Sequence, residues 1–263
     1  MRIRAGIYAL CGLAVFAIPV AHAMFPSEPQ IASADLVSPT DRYGHDVLGG
    51  NEYSELWIKY HPGGKGEVDL KVVTLPEDRV FEDVKARIAD VTGDGFPEVV
   101  VVESSRSGGA ELAIYGVGKT IQVVRRVKQF KPKDLKKIAA TPPIGRRNRW
   151  LAPAGIADFD GDGQNDIAYV ETPHIGGTLR IWTMRGGKLV QIASKRGFSN
   201  HRIGEDFITG GVRDCGQGPE LVLPNFDWSG LMVARLTGGE LTVTKIGNRV
   251  GPDAVSAALA CTK

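Results

Sequence analysis

Apolar and polar side chains alternate along this chain in short runs closed by glycine pairs, and the runs recur. Residues 54–60, 110–115, 178–182 and 231–236 place every second side chain on one apolar face, the period of a half-buried β-strand. The last three follow Gly108-Gly109, Gly176-Gly177 and Ser229-Gly230. Each of the four then meets a further glycine turn, at Gly63-Gly64, Gly116 to Gly118, Gly186-Gly187 and Gly238-Gly239. Another alternating run follows, at 67–70, 120–123, 189–192 and 241–243, so all four read as hairpins. One strand earlier lie shorter, continuously apolar runs at 99–103, 167–171 and 221–224, as expected of strands covered on both faces. In the first unit the corresponding candidate is His45-Asp46-Val47-Leu48.

Helical periodicity is confined to 132–139 and 253–260. The pattern therefore predicts an all-β protein. Turn chemistry repeating about every 50 to 70 residues suits a small β-propeller of about four blades, five at most, better than a sandwich. The expected blades are 41–80, 81–128, 150–196 and 203–247, with a basic insertion at 129–149 and a C-terminal tail at 248–263, all within one domain, 24–263.

The chain start changes the setting. Arg2 and Arg4 precede an apolar run from 7 to 18 and the small-residue site Ala21-His22-Ala23, the layout of a cleavable secretory signal peptide over 1–23. The run is too short to span a bilayer, which takes about 20 apolar residues, and no membrane span is expected elsewhere. Cys11 lacks the small residues that precede a lipidated cysteine. A periplasmic or secreted protein is expected. Of the 32 basic and 30 acidic residues, cleavage removes two basic ones, leaving no net charge and no global pull toward nucleic acid. After cleavage Cys215 and Cys261 are the cysteines left, and in an oxidising compartment they are expected to pair; two buried free thiols are the alternative.

The sharpest chemistry lies at Asp158-Phe159-Asp160-Gly161-Asp162-Gly163-Gln164-Asn165-Asp166, with carboxylates at loop positions 1, 3, 5 and 9. Calcium takes six to eight oxygens, and a tight loop supplies alternate side chains plus a carbonyl at position 7, here Gln164. An EF-hand is excluded because its position-12 glutamate is Tyr169 here. The competing explanation is an Asp-rich turn held by its own hydrogen bonds. The frame recurs at Asp90, Thr92, Asp94, Phe96 and Glu98, with one carboxylate replaced by a hydroxyl, as a weaker site. A third copy, 212–220, has lost its first and fifth ligands and is expected to be metal-free, fastened instead by Cys215.

Residues 88–102 and 155–170 resemble the FG-GAP or VCBS repeats of integrin-type β-propellers. Residues 211–223 are a degenerate copy, and 41–76 agree in strand spacing alone. The wider chain, including 39–43, 200–206 and 213–216, is similar to bacterial exported VCBS repeat-containing proteins. The resemblance implies a propeller with Ca2+ bracing the loop between the first two strands of a blade, and it does not imply catalysis. Integrin-type propellers usually have seven blades.

In such a propeller the residues leading into each first strand gather at one channel mouth. Those residues are polar here: His45, Arg149, Trp150, His201, Arg202, Glu205 and Asp206, with Glu82, Asp83 and Arg87 nearby. They are candidates for holding an anionic or saccharide ligand or a peptide, against the simpler reading of solvated or ion-paired loops. His174 reads as an isolated strand end. Trp57, Trp150, Trp182 and Trp228 read as core between blades. The basic insertion could touch phosphate or acidic polysaccharide, or be a solvated loop. The function expected is a non-enzymatic, calcium-stabilised binding or scaffold module, monomeric, with an unknown protein, peptide or saccharide partner in the cell envelope. The alternative is an exported hydrolase or lyase using the polar channel mouth.

Overall fold

A computed structural model describes residues 30–50, 52–61, 68–116 and 135–262. The expected signal peptide and the expected strand at 120–123 lie outside them. The described chain is all-β apart from one short helix. Strands β1 (Gln30–Pro39) and β3 (Asp69–Thr74) flank β2 (Tyr53–His61). The short β4 (Arg79–Phe81) links β2 to β6 (Glu98–Ser105), whose start also pairs with β5 (Arg87–Ala89). The sheet continues through β7 (Gly109–Gly116) to β8 (Lys136–Ala140), giving eight strands. Two four-stranded antiparallel meanders follow. One runs β9 (Leu151–Ala157), β10 (Asp166–Glu171), β11 (Thr178–Arg185) and β12 (Lys188–Arg196). The other runs β13 (Gly211–Asp214), β14 (Pro219–Pro224), β15 (Leu231–Thr237) and β16 (Glu240–Gly247).

The continuously apolar runs are the strands shared between two cores. On β6, Val99 and Val101 meet Leu56, Ile58 and Tyr60, while Val100 and Val102 meet Ile167, Tyr169 and Trp182 on the other side. On β10, Ala168 and Val170 turn toward Leu221 and Leu223. Val222 points the other way, to Val255 and Ala258 of α1 (Pro252–Leu259). Each fully buried aliphatic side chain contributes about 1.5–3 kcal/mol, so a strand with two apolar faces holds two layers at once. Equal positions in successive sheets lie side by side: β9 against β13, and β12 against both β8 and β16. Gly155 makes the first of these approaches feasible, since a Cβ there would come within 2.2 Å of the Val212 side chain.

The hairpins at Gly186-Gly187 and Gly238-Gly239 form as expected, with φ of 58° and 77° and of 59° and 84°. Two successive left-handed residues make the turn whose twist matches paired strands. The helix expected at 253–260 is α1; Pro252 opens it and Asp253 sits in its first turn.

Several expectations need correction. His45-Asp46-Val47-Leu48 is not a strand: its end forms a turn, and the first unit takes β1 from upstream instead. The described strands of units 41–80 and 81–128 share one sheet, joined through β4. The basic segment 129–149 holds strand β8 where a helix was expected over 132–139, of which 132–134 lie outside the described residues. The reason is an ion network. Glu103, fully buried on β6, accepts from Arg79 of β4 at 2.6 Å, Lys137 of β8 at 2.8 Å and the Tyr115 hydroxyl of β7 at 2.6 Å. Trp57 is 38 % exposed on the outward face of β2, not core. Among the described residues, none of the four cores contains both β1–β3 and β13–β16 side chains. The free face of the last sheet is covered by α1, while the loops meet where Gly204 donates to the Val47 carbonyl at 3.1 Å.

Candidate functional site

Three loops occupy the same place in three units, joining the first strand to the second: 90–97 between β5 and β6, 158–165 between β9 and β10, and 215–218 between β13 and β14. All three fold by the same local chemistry. The first aspartate accepts several main-chain N–H groups: Asp90 from Gly93 at 2.8 Å and Gly95 at 2.8 Å, Asp158 from Gly161 at 2.7 Å and Gly163 at 2.9 Å. Asp214 likewise takes Gly216 at 2.8 Å and Gly218 at 3.1 Å. These bonds close each turn without a metal.

The loops differ at the carboxylate that begins the second strand. Glu220 is neutralised by two guanidinium groups, Arg213 at 2.7 Å and Arg235. Glu98 accepts from the Val91 and Thr92 N–H groups at 3.0 and 3.2 Å and from the Thr92 hydroxyl at 3.1 Å. Burial foremost, with Asp94 and Asp90 adding, pushes its carboxyl up to about 7. Asp166 accepts from Phe159 N–H at 3.0 Å through one oxygen, but its buried Oδ1 has no hydrogen-bond partner. The Thr183 hydroxyl is near enough to lower its pKa yet makes no bond of adequate geometry. Burial, and then the Asp160 charge, push the Asp166 carboxyl up to about 6. Asp158, Asp160 and Asp166 each bring one oxygen within 4.8 Å of the others. The nearest cation, Arg185, is 58 % exposed and 3.7 Å from Asp160.

Of the residues expected to bind metal, then, the second loop's Asp158, Asp160 and Asp166 converge. Asp162 faces the turn, its Oδ1 accepting the Gln164 N–H at 2.9 Å. Gln164 spends its side-chain amide N–H groups on the carbonyls of Val91 at 3.1 Å and Met184 at 2.8 Å. In the Asp90 loop Asp94 takes the Phe96 N–H at 2.9 Å just as Asp162 takes that of Gln164, and the difference is Thr92, whose hydroxyl donates to Glu98 at 3.1 Å. Among the described residues no three-carboxylate group forms there. Cys215 and Cys261 meet at bonding distance with their Cα atoms 5.7 Å apart, fastening the third loop to the end of α1.

A second constellation lies where the polar loops converge. His45, Asn148, Arg149, Trp150, Thr172 and His174 line a pocket of about 310 Å³. His45 Nδ1 is 2.6 Å from Glu82, whose carboxylate is buried and also accepts from Ser104. Burial raises the Glu82 pKa against the pull of His45 and Ser104. Trp150 donates its indole N–H to the Glu82 carbonyl at 2.8 Å. His174 Nε2 lies 3.0 Å from His201 Nδ1, and His201 Nε2 lies 2.8 Å from the Glu205 carbonyl oxygen. Burial first, and then the His201 charge, lower His174 to about 4; burial also lowers His201.

The expected ligand residues are thus divided. His45, Arg149 and Trp150 share the pocket, and His201 backs it. Arg202 and Glu205 line a separate groove beside α1, where Arg202 stacks 3.9 Å over the Trp228 ring. Asp206 is exposed and lines neither. His174, read from sequence as an isolated strand end, belongs to the pocket; it sits in the turn between β10 and β11, a position no spacing rule connects to His201. Asp83 is structural, buried and bonded to Arg87 at 2.8 Å and to the Val102 N–H at 3.0 Å.

No family model matches the chain. "Uncharacterized protein YffS" of Escherichia coli (strain K12) is 32% identical over 56 residues, 21% of this chain and 21% of that protein, so the match spans about a fifth of the relative's length. Among solved structures, the exotype rhamnogalacturonan lyase YesX aligns over 84% of this chain and 48% of its own, with a TM-score of 0.39 and 14% identity.

Proposed function

We propose that this protein is an exported, non-enzymatic binding or scaffold module built from blade-like units of the FG-GAP/VCBS type and braced by one calcium ion in the Asp158 loop. The observation that carries the reading is the buried Asp166 Oδ1, which among the described residues has no neighbour able to donate to it but the Thr183 hydroxyl and lies beside two further carboxylates, in a fold that supplies Arg213 and Arg235 at the same place in the third loop. A buried ionised carboxylate is costly unless paired or bound to metal. The donor set is all oxygen, which selects a hard cation over zinc or copper. Asp158, Asp160 and Asp166 would hold it, with the Gln164 main-chain carbonyl. Bound calcium would supply positive charge to the loop and tie β9 to β10. The Gln164 and Asn165 side chains, the latter donating to the Asp90 carbonyl at 2.9 Å, extend that brace to the neighbouring unit.

The Cys215–Cys261 pair suits the periplasm or the cell exterior. The partner would be a protein, peptide or saccharide of the cell envelope, engaged at the pocket around His45 and Arg149. Treatment of the mature protein with EGTA tests the brace: the melting temperature should fall by several degrees, and an unchanged value would contradict it.

One observation favours a second reading, an exported hydrolase or lyase. A carboxylate behind an imidazole fixes its tautomer and leaves Nε2 as a base, and Glu82 stands so to His45. Turnover of an acidic polysaccharide by the native protein, absent in His45→Gln, would establish that reading; no turnover would leave the binding module.

A further inference from the structure

We propose that the pocket between the β10–β11 turn and the loop before β9 takes a carboxylate-bearing small molecule, with the Arg149 guanidinium as its anchor. The inference rests on the pocket being the module's binding site, and it adds the ligand's chemical class.

Four features support it. Arg149 is half-buried, and among the described residues its side chain makes no hydrogen bond or ion pair. The other arginines around the pocket are engaged: Arg147 donates to the Tyr43 carbonyl at 2.8 Å, and Arg87 to Asp83. An unpaired guanidinium on a partly buried residue attracts an anion more strongly than it would at an open surface.

No aspartate or glutamate is among the described residues that line the pocket. Glu82 lies beneath it with its oxygens committed to His45 and Ser104. The pocket therefore presents positive charge without a competing carboxylate.

The backbone around it is held in an unusual state. Asn148 and Thr172 both line the pocket and both have left-handed φ, 56° and 46°. For a β-branched residue this conformation is a real outlier. It is strained for Thr172, less so for Asn148, and persists where the surroundings fix it, which happens most at functional sites. Here the fixing bonds are explicit: Asn148 N–H to the Tyr43 hydroxyl at 2.9 Å, Thr172 N–H to the Trp150 carbonyl at 2.9 Å, and the Thr172 hydroxyl to the Ile175 carbonyl at 2.8 Å. They set the segments on either side of Arg149 and His174.

The charge count selects a carboxylate over a phosphate. One planar guanidinium matches a carboxylate in a two-pronged pair, whereas a phosphate dianion calls for a second cation. His174 resists protonation and does not supply it. His45, with Nδ1 committed to Glu82, offers its remaining nitrogen to a hydroxyl of the ligand. A volume of about 310 Å³ accommodates a small organic acid or one uronic acid unit.

Calorimetric titration of the mature, calcium-supplemented protein with sodium glucuronate, glucose and inorganic phosphate tests the proposal. Glucuronate is expected to bind, glucose and phosphate to bind at least tenfold more weakly, and Arg149→Gln to weaken glucuronate by about tenfold or more. Arg149→Lys, which keeps the charge, should fall between the two and replaces Arg149→Gln if that variant does not fold. No heat with glucuronate up to about 10 mM, equal binding of phosphate or glucose, or undiminished binding by the Arg149 variants would each overturn it. Binding of glucose or phosphate that is lost in Arg149→Gln would leave the pocket as a site with the wrong ligand class. Silence with all three probes would count against the pocket itself, and neither result bears on the response to EGTA.

Discussion

Asp166 and Glu220 stand at the start of the second strand of successive units, and Glu220 is clasped by Arg213 and Arg235 where Asp166 has a buried oxygen facing no cation. The same backbone turn thus carries two electrostatic solutions. If a cation completes the Asp158 loop, Asp166→Asn should abolish the effect of EGTA on the melting temperature while leaving the protein folded. An EGTA response equal to that of the native protein would assign the metal elsewhere.

The third loop answers to a different reagent. Cys215 and Cys261 close a loop with a sequence separation of 46, worth about 4 kcal/mol in the chain-entropy picture. Reduction, or Cys261→Ser, should lower stability by up to that amount and free the end of α1, exposing the core around Val255 and Ala258. Denaturant unfolding with and without reductant measures it, and coincident curves would refute the fastening role.

Glu103 should be the most sensitive charged position in the eight-stranded sheet. Glu103→Ala removes the buried partner of the Arg79 guanidinium, which keeps Glu111, and of the Tyr115 hydroxyl, and is expected to cost up to about 3–5 kcal/mol. Lys137→Ala removes a one-third exposed partner and should cost at most about 1 kcal/mol. Urea midpoints for the two variants should therefore differ widely, and similar values would deny the network its central role.

Acid should weaken the pocket before it weakens the sheets. His174 is lowered to about 4 in the folded protein, against about 6.5 in the unfolded chain. The unfolded state then binds more protons between these values, so this contribution is present above about pH 6.5 and is lost as pH falls through 4. Its size is at most about 3 kcal/mol. His174→Gln should flatten the stability profile between pH 4 and 6.5, as read from unfolding midpoints; an unchanged slope would contradict the assignment.

These outcomes separate what was legible in the residues from what was not. The hairpins at Gly186-Gly187 and Gly238-Gly239, the doubly covered strands and the C-terminal helix follow from local period and turn chemistry, which tertiary contacts here reinforce. Strand β1 was missed because Gln30–Pro39 alternates weakly and takes its register from β2. β8 was missed because Lys136 and Lys137 look like solvated charge, and its pairing with β7 and the Lys137 bonds to Glu103 and Glu111, all 20 or more positions away, are invisible to local pattern. The same limit hid His174, whose partner His201 lies 27 residues on. The acidic loops were legible as a repeated frame, but the difference among them depends on Thr92, Thr183, Arg213 and Arg235, which spacing within the frame does not rank.

The most direct test of the account is the calcium stoichiometry of the mature protein, measured by calorimetric titration after exhaustive chelation. One ion per chain, lost in Asp166→Asn and retained in Glu98→Gln, is the predicted result. No binding, or a single site that survives Asp166→Asn, would contradict it.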